Sequence, residues 1–179
     1  MRVIAGSARG TRLAPVPRGT RPLSDRAREG LFSSLADQIP GARVADLFAG
    51  TGATGIEALS RGAASALFVD SSAGAVRTIR ANLDRTGLAA KADVVRADVA
   101  RALERLEGPF DLAFLDPPYA HPPGDLADVL ARLTPLVPGG TIVLTRPRGN
   151  ATDVIPIHWQ IVRLLDYGDT RVLICREGT

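Results

Sequence analysis

The chain has 179 residues, of which 45% are apolar, and its formal net charge is +3 with a sequence pI of about 9.7. No run of about twenty apolar residues is present to span a bilayer, which argues against a membrane-spanning role. Cys175 is the single cysteine, so an internal disulfide is excluded, and the first residues carry no hydrophobic signal region. We expect a cytoplasmic, monomeric protein with one substantial core.

The first forty residues predict a small arm that precedes the main body of the protein. Residues 3–6 and 11–14 are strand candidates joined by a short turn, which indicates a β-hairpin. Ser24 suits the N-cap of a helix over residues 25–38, and Pro40-Gly41 would end that helix. An arm of this size is too small to fold alone.

Arginines are concentrated in this arm, where few acids oppose them. Because Arg makes planar, bidentate contacts with phosphate, we expect the arm to bind nucleic acid, although a solvated basic face would give the same composition. The residues assigned to nucleic-acid binding are Arg2, Arg9, Arg12, Arg18 and Arg21, together with Arg146. Arg146 follows a later predicted strand and could equally pair with an acid.

From residue 41 onward, strand-like and helical segments alternate. Predicted strands cover residues 44–48, 66–69, 93–96, 111–115 and 141–145, and predicted helices cover 54–61, 73–86, 100–106 and 125–136. Such alternation predicts an α/β fold with a parallel sheet covered by helices on both faces. Residues 159–165 and 171–175 predict an antiparallel C-terminal hairpin, which completes seven strands. The predicted organisation is therefore an arm over residues 1–40 and an α/β domain over residues 41–179.

A glycine-rich loop follows the first predicted strand of this domain. Gly50, Gly52 and Gly55 match the spacing G-x-G-x-x-G, in which glycine permits a tight turn and the following helix offers free N–H groups to a nucleotide-type ligand. Asp70, at the end of the next strand, is placed to bind ribose hydroxyls. NAD and S-adenosylmethionine both carry such a ribose, so these residues alone leave the cofactor open.

Two further acids favour S-adenosylmethionine. Asp46 precedes the loop, where its carboxylate could pair with a cationic amino-acid group but would repel a pyrophosphate. Asp98 offers an acceptor to the adenine amine and Val99 an apolar contact beside it, although an Asp here also suits a helix N-cap. Because the carboxyl ends of parallel strands meet at one edge of the sheet, we expect these acids to lie in one site.

The sequence Asp116-Pro117-Pro118-Tyr119 directly follows an apolar strand. Asp116 supplies a carboxylate, the two prolines restrict the backbone, and Tyr119 supplies an aromatic face, a combination that suits a flat base bearing an amine. Prolines after a strand also simply end strands. With the glycine loop upstream, the motif favours chemistry on a nucleobase nitrogen, in which Asp116 and the Pro117 carbonyl accept the amine hydrogens and Tyr119 stacks on the base.

These motifs resemble a known family. The run Asp46-Leu47-Phe48-Ala49-Gly50-Thr51-Gly52 with Asp116-Pro117-Pro118-Tyr119 is similar to class I S-adenosylmethionine-dependent amino-methyltransferases. Residues 20–29, T-R-P-L-S-D-R-A-R-E, and residues 2–6, R-V-I-A-G, narrow the resemblance to the bacterial 16S rRNA guanine-N2 methyltransferases of the RsmD type. The likeness covers nearly the whole chain. Leu23 stands where many relatives would carry Thr.

The resemblance implies a Rossmann-like methyltransferase fold and transfer of a methyl group to a guanine N2 amine. The implied substrate is the helix 31 loop of 16S rRNA, in the small ribosomal subunit or an assembly intermediate. Catalysis is assigned to Asp116, Pro117 and Tyr119, and S-adenosylmethionine binding to Asp46, Phe48, Gly50, Gly52, Gly55, Asp70, Asp98 and Val99. No metal is expected, because the two histidines and Cys175 lack a ligand spacing.

Three other functions remain as alternatives. A DNA amino-methyltransferase would share the Asp-Pro-Pro-Tyr motif, but the chain lacks an obvious domain large enough to recognise a duplex target. An NAD-dependent oxidoreductase would leave that motif without a task. A non-catalytic RNA-binding assembly factor could retain the fold, although the intact set of acids at the cofactor edge argues against it.

Overall fold

A computed structural model describes residues 1–15, 23–149 and 152–178. Strands β1 to β7 cover Arg43–Leu47, Ser65–Asp70, Ala92–Arg96, Leu112–Leu115, Thr141–Pro147, Trp159–Tyr167 and Thr170–Glu177. Helices α1 to α5 cover Asp25–Ser34, Ala53–Ser60, Ala73–Thr86, Val99–Leu103 and Pro123–Leu133. Short 3-10 helices cover Ala36–Gln38, Ala89–Lys91 and Thr134–Leu136.

All seven strands form one sheet in the order β3-β2-β1-β4-β5-β7-β6. Strands β1 to β5 pair in parallel, whereas β7 is antiparallel to both β5 and β6. The predicted α/β fold with a mostly parallel seven-stranded sheet and a C-terminal antiparallel hairpin is therefore confirmed. The strand order reverses between β1 and β4, which leaves a crevice at the carboxyl ends of these strands, where open α/β sheets bind ligands.

Two apolar layers cover the two faces of the sheet. Val44 on β1 and Phe68 on β2 belong to the cluster that packs under α1, α2 and α3. Ala45 and Leu47 on β1 belong to the cluster that packs under α4 and α5. Because β1 contributes to both clusters, four of its five residues are buried, as its near-continuous apolar sequence predicts.

The N-terminal arm is docked on α2 and shares its core. The predicted hairpin is present as an antiparallel reversal with a single bridge, between Arg2 and Arg12. Beyond the bridge the chain turns, with the Gly10 N–H donating to the Val3 carbonyl at 2.9 Å and the Thr11 N–H to the Ala8 carbonyl at 3.1 Å. The N–H groups of Ile4 and Ala5 donate to the Glu57 carboxylate at 2.8 and 3.0 Å. Val3 and Leu13 belong to the same apolar cluster as Val44 and Phe68. The arm is therefore held by hydrogen bonds to α2 and by apolar packing under it.

The helix predicted over residues 25–38 divides in two. Ser24 is its N-cap and accepts from the Ala27 N–H at 3.1 Å, but α1 ends at Ser34 and a 3-10 turn follows. Among the residues that the structure describes, no helix is long and apolar enough to cross a membrane.

Candidate active site

A cavity of about 410 Å³ opens at the carboxyl ends of β1, β2 and β4 and beside the start of α4. Its lining includes all but two of the residues predicted to bind the cofactor or to act in catalysis; those lining it are Asp46, Phe48, Gly50, Asp70, Asp98, Val99, Asp116, Pro117 and Tyr119. Gly52 and Gly55 lie in the loop and helix directly behind this lining. The structure therefore brings the two predicted groups of residues, from distant parts of the chain, into one cavity.

The turn from β1 into α2 is shaped by its glycines. Gly52 has a φ of 75°, a left-handed conformation that glycine adopts without strain, and it stands at the N-cap of α2. A Cβ atom on Gly55 would lie 2.4 Å from the Phe68 ring, so only glycine lets α2 approach β2 this closely. The Gly55 N–H donates to Asp46 Oδ2 at 2.9 Å, which ties the loop to the end of β1.

Asp70 supports the other side of the same loop. Its Oδ2 accepts from the Gly50 N–H at 2.9 Å and its Oδ1 from the Ser72 N–H at 2.8 Å. Asp98 is the N-cap of α4, where it accepts from the Arg101 N–H at 3.3 Å, and it also lines the cavity. Both roles that the sequence allows for Asp98 are thus compatible with its position.

Phe48 occupies a strained position beside these acids. Its φ is 60°, in the left-handed region that bulky side chains seldom adopt. Its ring packs edge-on against His121, with 5.3 Å between the ring centroids, and it also lines the cavity. Backbone strain of this kind is concentrated at ligand sites, where the surrounding structure holds it.

Burial raises the pKa of two cavity carboxyl groups. Desolvation raises the pKa of Asp46 to about 8, with the hydrogen bond from Gly55 opposing the rise and Asp116 and Asp70 adding to it. Desolvation raises the pKa of Asp116 to about 7. Near neutral pH these pKa values leave both groups at least partly protonated in the free protein, and a cationic group entering the cavity would favour their ionised forms and lower their pKa values.

The Asp-Pro-Pro-Tyr corner divides two cavities. Asp116 and Tyr119 line both the first cavity and a second, more polar one of about 570 Å³ that is bounded by α1 and the β6–β7 turn. The Tyr119 hydroxyl is 2.7 Å from Thr170 Oγ1, so the corner is fixed to that turn while 47% of the residue stays exposed. Leu23, noted for its departure from relatives, also lines both cavities.

Arg28 is a site residue that the sequence analysis does not assign. In the sequence, Arg28 adds only to the positive charge of the arm. In the structure it is 0% exposed and lines the first cavity. The missed signal is its spacing: Arg28 precedes Leu31, Phe32 and Leu35 by three, four and seven residues, which places it on the buried stripe of α1.

The arginines assigned to nucleic acid fall into three groups. Arg2, Arg9 and Arg12 are exposed on the docked arm. Arg18 and Arg21 lie outside the described residues. Arg146 is only 6% exposed, and its Nε and Nη1 have no hydrogen-bond partner within the described ranges. Its burial inside β5, in register with Arg171 of β7, argues against the predicted contact with a nucleic-acid phosphate.

Cys175 and the metal-ligating residue types show no second site. Burial raises the pKa of the Cys175 thiol to about 12, which leaves it without a reactive thiolate at neutral pH. In the described part of the chain, no three His, Cys, Asp or Glu side chains form a group that could hold a metal ion.

Comparison with known proteins agrees with this geometry. The family described as conserved hypothetical protein 95 matches residues 1–176. Ribosomal RNA small subunit methyltransferase D of Escherichia coli strain K12 is 35% identical over 168 residues, which cover 91% of this chain and 83% of the relative. The solved structure of the Escherichia coli protein yhhF has a TM-score of 0.88 and 32% identity, and the match covers 99% of this chain and 98% of that chain.

A second solved structure extends the match to another bacterium. A hypothetical protein of Thermus thermophilus has a TM-score of 0.79 and 34% identity, with 97% of this chain and 98% of that chain covered. The fold of these solved structures and a family model over almost the full length agree. The chain therefore belongs to the conserved hypothetical protein 95 family, the RsmD family of methyltransferases.

Proposed function

We propose that this protein transfers a methyl group from S-adenosylmethionine to the exocyclic N2 amine of a guanine in 16S rRNA, in the helix 31 loop of the small ribosomal subunit or an assembly intermediate. One observation carries the proposal: Asp116 and Tyr119 stand between a cavity lined by the glycine loop and a second, open polar cavity. A transfer reaction needs such a shared wall, with the donor on one side and the acceptor on the other. The name of the Escherichia coli relative supports rRNA as the acceptor.

The residues of the first cavity fit S-adenosylmethionine better than a dinucleotide. Asp46 is buried beside the loop, where a pyrophosphate would further disfavour its ionised form and gain no counter-charge from it, whereas a cation would favour the carboxylate. The same carboxylate suits an ammonium group. Asp70 and Asp98 would hold the ribose hydroxyls and the adenine amine, with Val99 against the adenine ring. When bound, S-adenosylmethionine supplies an electrophilic methyl group on a sulfonium.

Asp116 and Pro117 would orient the acceptor. A guanine amine is a weak nucleophile because its lone pair is delocalised into the ring. The Asp116 carboxylate and the Pro117 carbonyl can accept the two amine hydrogens, which turns the lone pair toward the first cavity. The amine nitrogen would gain the methyl group as the C–S bond of the donor breaks and S-adenosylhomocysteine leaves. One amine proton would be released, and the ionised carboxylate of Asp116, whose pKa is about 7, is a suitable acceptor for it.

Tyr119 would hold the base. Its exposed ring offers a stacking face, and the hydrogen bond between its hydroxyl and Thr170 fixes the ring between the two cavities. A base must leave its neighbours to reach this position, as for other enzymes that modify an exocyclic amine. Residues 1–40 would act as the RNA-binding arm of residues 41–179, with Arg2, Arg9 and Arg12 on phosphates.

The proposal is tested by methyl transfer from labelled S-adenosylmethionine to small ribosomal subunits, naked 16S rRNA and duplex DNA, followed by nuclease digestion and identification of the modified nucleoside. We expect N2-methylguanosine from subunits or rRNA. Label in DNA would replace the proposal with a DNA amino-methyltransferase. Cofactor binding without label in these three acceptors would direct the assay to assembly intermediates of the small subunit, and absence of label there as well would contradict the proposal and favour the assembly-factor alternative.

Asp116→Ala tests the catalytic role of Asp116. We expect it to lower turnover at least about a thousandfold, because base positioning supplies much of the rate. The variant should still bind the product S-adenosylhomocysteine in calorimetry, since the glycine loop and Asp70 are unchanged. Near-normal turnover would refute the role of Asp116.

A further inference from the structure

Several polar side chains that line the second cavity already have partners within the protein. Asp166 accepts two hydrogen bonds from the Arg171 guanidinium, at 2.8 and 2.9 Å, and lies 3.3 Å from Arg148 Nη2. The Thr170 hydroxyl is 2.7 Å from the Tyr119 hydroxyl. These groups shape the wall of the cavity, but much of their hydrogen-bonding capacity is used.

Helix α1 accounts for two more polar groups of the lining. The Ser24 hydroxyl caps this helix by accepting from the Ala27 N–H at 3.1 Å. A Cβ atom on Gly30 would lie 1.9 Å from the Tyr167 hydroxyl oxygen, so this hydroxyl is directed at the backbone of α1. The cap and the packing against α1 therefore explain both hydroxyl groups without a ligand.

Three polar side chains of this lining remain besides Asp116, namely Arg26, Thr145 and Asp169. Thr145 is 4% exposed, and its hydroxyl has no hydrogen-bond partner in the described part of the chain. The residues before Asp116 and Thr145 are in register in the parallel pair of β4 and β5. Because neighbouring strands lie about 4.8 Å apart, a carboxyl group and a hydroxyl stand side by side at the floor of the cavity.

Arg26 is the cation of this cavity. It lies in the first turn of α1, is exposed, and makes no ion pair or hydrogen bond within the described residues. A positive side chain in the first turn is disfavoured by the helix dipole, so the stability of α1 does not account for it. The charged residues that line the cavity are otherwise acidic: Asp116, Asp166 and Asp169. Such surroundings disfavour a phosphate, whereas a neutral carbonyl is tolerated.

The order of donors and acceptors on guanine matches this arrangement. Beside the N2 amine, guanine presents the N1–H donor and then the O6 acceptor. An adenine held by its N6 amine presents the N1 acceptor and then a C–H group at the same positions. A guanidinium can only donate, so it gains a hydrogen bond from O6 and none from C–H. Hydrogen bonds from Arg are a common means by which proteins recognise guanine.

We infer that Arg26 is a specificity-determining residue that donates to O6 of the guanine whose N2 amine is held at Asp116, while the Thr145 hydroxyl accepts from N1–H. The inference rests on the proposed function and deepens it. Asp116 and the Pro117 carbonyl accept from an exocyclic amine on any base, so they do not distinguish guanine from adenine. Arg26 and Thr145 supply that distinction.

The test compares guanine with 2-aminopurine, which keeps the N2 amine but lacks O6 and N1–H. The acceptor is the form of 16S rRNA or small subunit that wild type labels, prepared with either base at the labelled position. We expect wild type to methylate guanine with a kcat/KM about 10–100-fold higher than for 2-aminopurine.

Arg26→Met matches the length of the side chain and removes its donors. We expect it to reduce the preference for guanine at least about fivefold, because only the base that carries O6 loses a hydrogen bond. Thr145→Val keeps the shape of the side chain and should reduce the preference about 2–10-fold, as for a neutral hydrogen bond. Neither residue lines the first cavity, so both variants should bind S-adenosylhomocysteine as wild type does, which also verifies that they fold.

Arg163→Met is the matched control. Arg163 lies on β6 beside α1, where its Nη1 donates to Ser34 Oγ at 2.9 Å, and it does not line the second cavity. The substitution removes the same charge from the same side of the molecule. We expect the preference for guanine to equal that of wild type.

Each result separates recognition of the base from a phosphate contact or a structural role. An equal loss of kcat/KM on both bases in Arg26→Met, with the preference unchanged, would overturn the inference. A wild-type preference below about threefold would overturn it without any variant. If wild type labels no form of 16S rRNA, the proposed function is wrong, and the inference fails with it for a reason that is recognisably different.

Discussion

Two carboxyl groups in the cavity carry protons at pH values where most Asp residues are ionised. Asp46 and Asp116 owe their raised pKa values to desolvation, and Asp46 also to the neighbouring acids. Burying these two carboxyl groups lowers the stability of the folded protein at neutral pH, because their ionised forms are poorly solvated in the cavity. A protein that keeps such groups does so for binding or catalysis, so their removal should separate stability from function.

Asp46→Asn should stabilise the protein and weaken cofactor binding. Because the folded-state pKa is about 8 and the unfolded value is 3.8, the stability that Asp46 contributes is fully present below about pH 4 and is lost as the pH rises toward 8. Asn escapes this loss and can still accept from Gly55. We expect the variant to exceed wild type by about 2–5 kcal/mol at pH 8 and by little at pH 4.

Thermal unfolding from pH 4 to 8 measures this difference, which should appear as a melting temperature about 4–15 °C higher at pH 8. Calorimetry should show S-adenosylhomocysteine binding at least about tenfold weaker, since the ammonium loses its charged partner. A difference in melting temperature that does not change with pH would contradict the assignment of the raised pKa to Asp46.

Tyr119 allows its ring and its hydroxyl to be tested apart. Tyr119→Ala should lower kcat/KM by about 5–150-fold, because stacking contributes about 1–3 kcal/mol per base. Tyr119→Phe keeps the ring but loses the 2.7 Å hydrogen bond with Thr170 Oγ1, so it should retain most of the activity. Steady-state methylation of the RNA substrate measures both. Equal losses in the two variants would show that fixing the corner matters and stacking does not.

At the scale of whole elements, the buried side chain of Asn82 on α3 is hydrogen-bonded to both the arm and the glycine loop. Its Oδ1 accepts from the Ala14 N–H at 2.7 Å, and its Nδ2 donates to the Ala14 carbonyl at 3.2 Å and to the Thr51 carbonyl at 2.9 Å. Asn82 is 0% exposed. One side chain thus joins the end of the arm to the glycine loop.

Asn82→Ala should release the arm and loosen the loop together. Three hydrogen bonds are removed and buried backbone groups of Ala14 and Thr51 are left without partners, which costs about 2–4 kcal/mol. Hydrogen exchange should accelerate at the Ala14 amide and around Thr51, and S-adenosylhomocysteine should bind more weakly. Thr134→Ala, on the opposite face of the sheet, is the control. Unchanged exchange at Ala14 in Asn82→Ala would contradict the link.

The elements of the α/β domain were predictable because their sequences follow the periods of strands and helices. Helix α3 begins and ends where the pattern places it, and α5 differs from its predicted range by two or three residues. The cofactor loop was predictable because backbone geometry requires glycine at Gly52 and Gly55. Arg28 and Asn82 were not, because their roles depend on contacts with residues 25 to 68 positions away.

The contacts of the arm also could not be predicted from its local sequence. Its two strand candidates form one bridge, and its backbone is held by Glu57, more than fifty residues further along the chain, which accepts from the N–H groups of Ile4 and Ala5. Arg146 follows a predicted strand in the sequence, but in the structure it lies within β5, pairs in register with Arg171 of β7 and is only 6% exposed. Pairing between distant segments is not encoded in local patterns, so these positions needed the structure.

At the scale of the whole molecule, the described positive and negative side chains lie on different surfaces. Arg2, Arg9 and Arg12 are exposed on the arm, whereas the cavity contains Asp46, Asp70, Asp98 and Asp116. A polyanion is attracted to the first surface and repelled by the second. In the proposed function the arm would therefore supply affinity that does not depend on sequence, and the Asp-Pro-Pro-Tyr corner would supply selection of the base.

Replacing Arg9 and Arg12 by Gln should weaken RNA binding without changing cofactor binding. Removing one phosphate interaction should reduce the magnitude of the slope of log K against log salt by about 0.7–0.9, so we expect a combined reduction of about 1.4–1.8. Neither residue lines the cavity, and S-adenosylhomocysteine should bind as in wild type. Fluorescence anisotropy with a helix 31 RNA at several salt concentrations measures the slope.

The control for this double variant is Arg132→Gln. Arg132 lies on α5, which covers the other face of the sheet, and it pairs there with Glu104. It removes one positive charge far from the arm, so the net charge changes but the proposed phosphate contacts remain. We expect its salt slope to match that of wild type. The contradicting outcome is a slope that falls by the same amount for each positive charge removed, whether the charge is Arg132 or one of the two arm arginines. RNA binding would then depend on the overall charge of the molecule, and the arm would not be the RNA-binding surface.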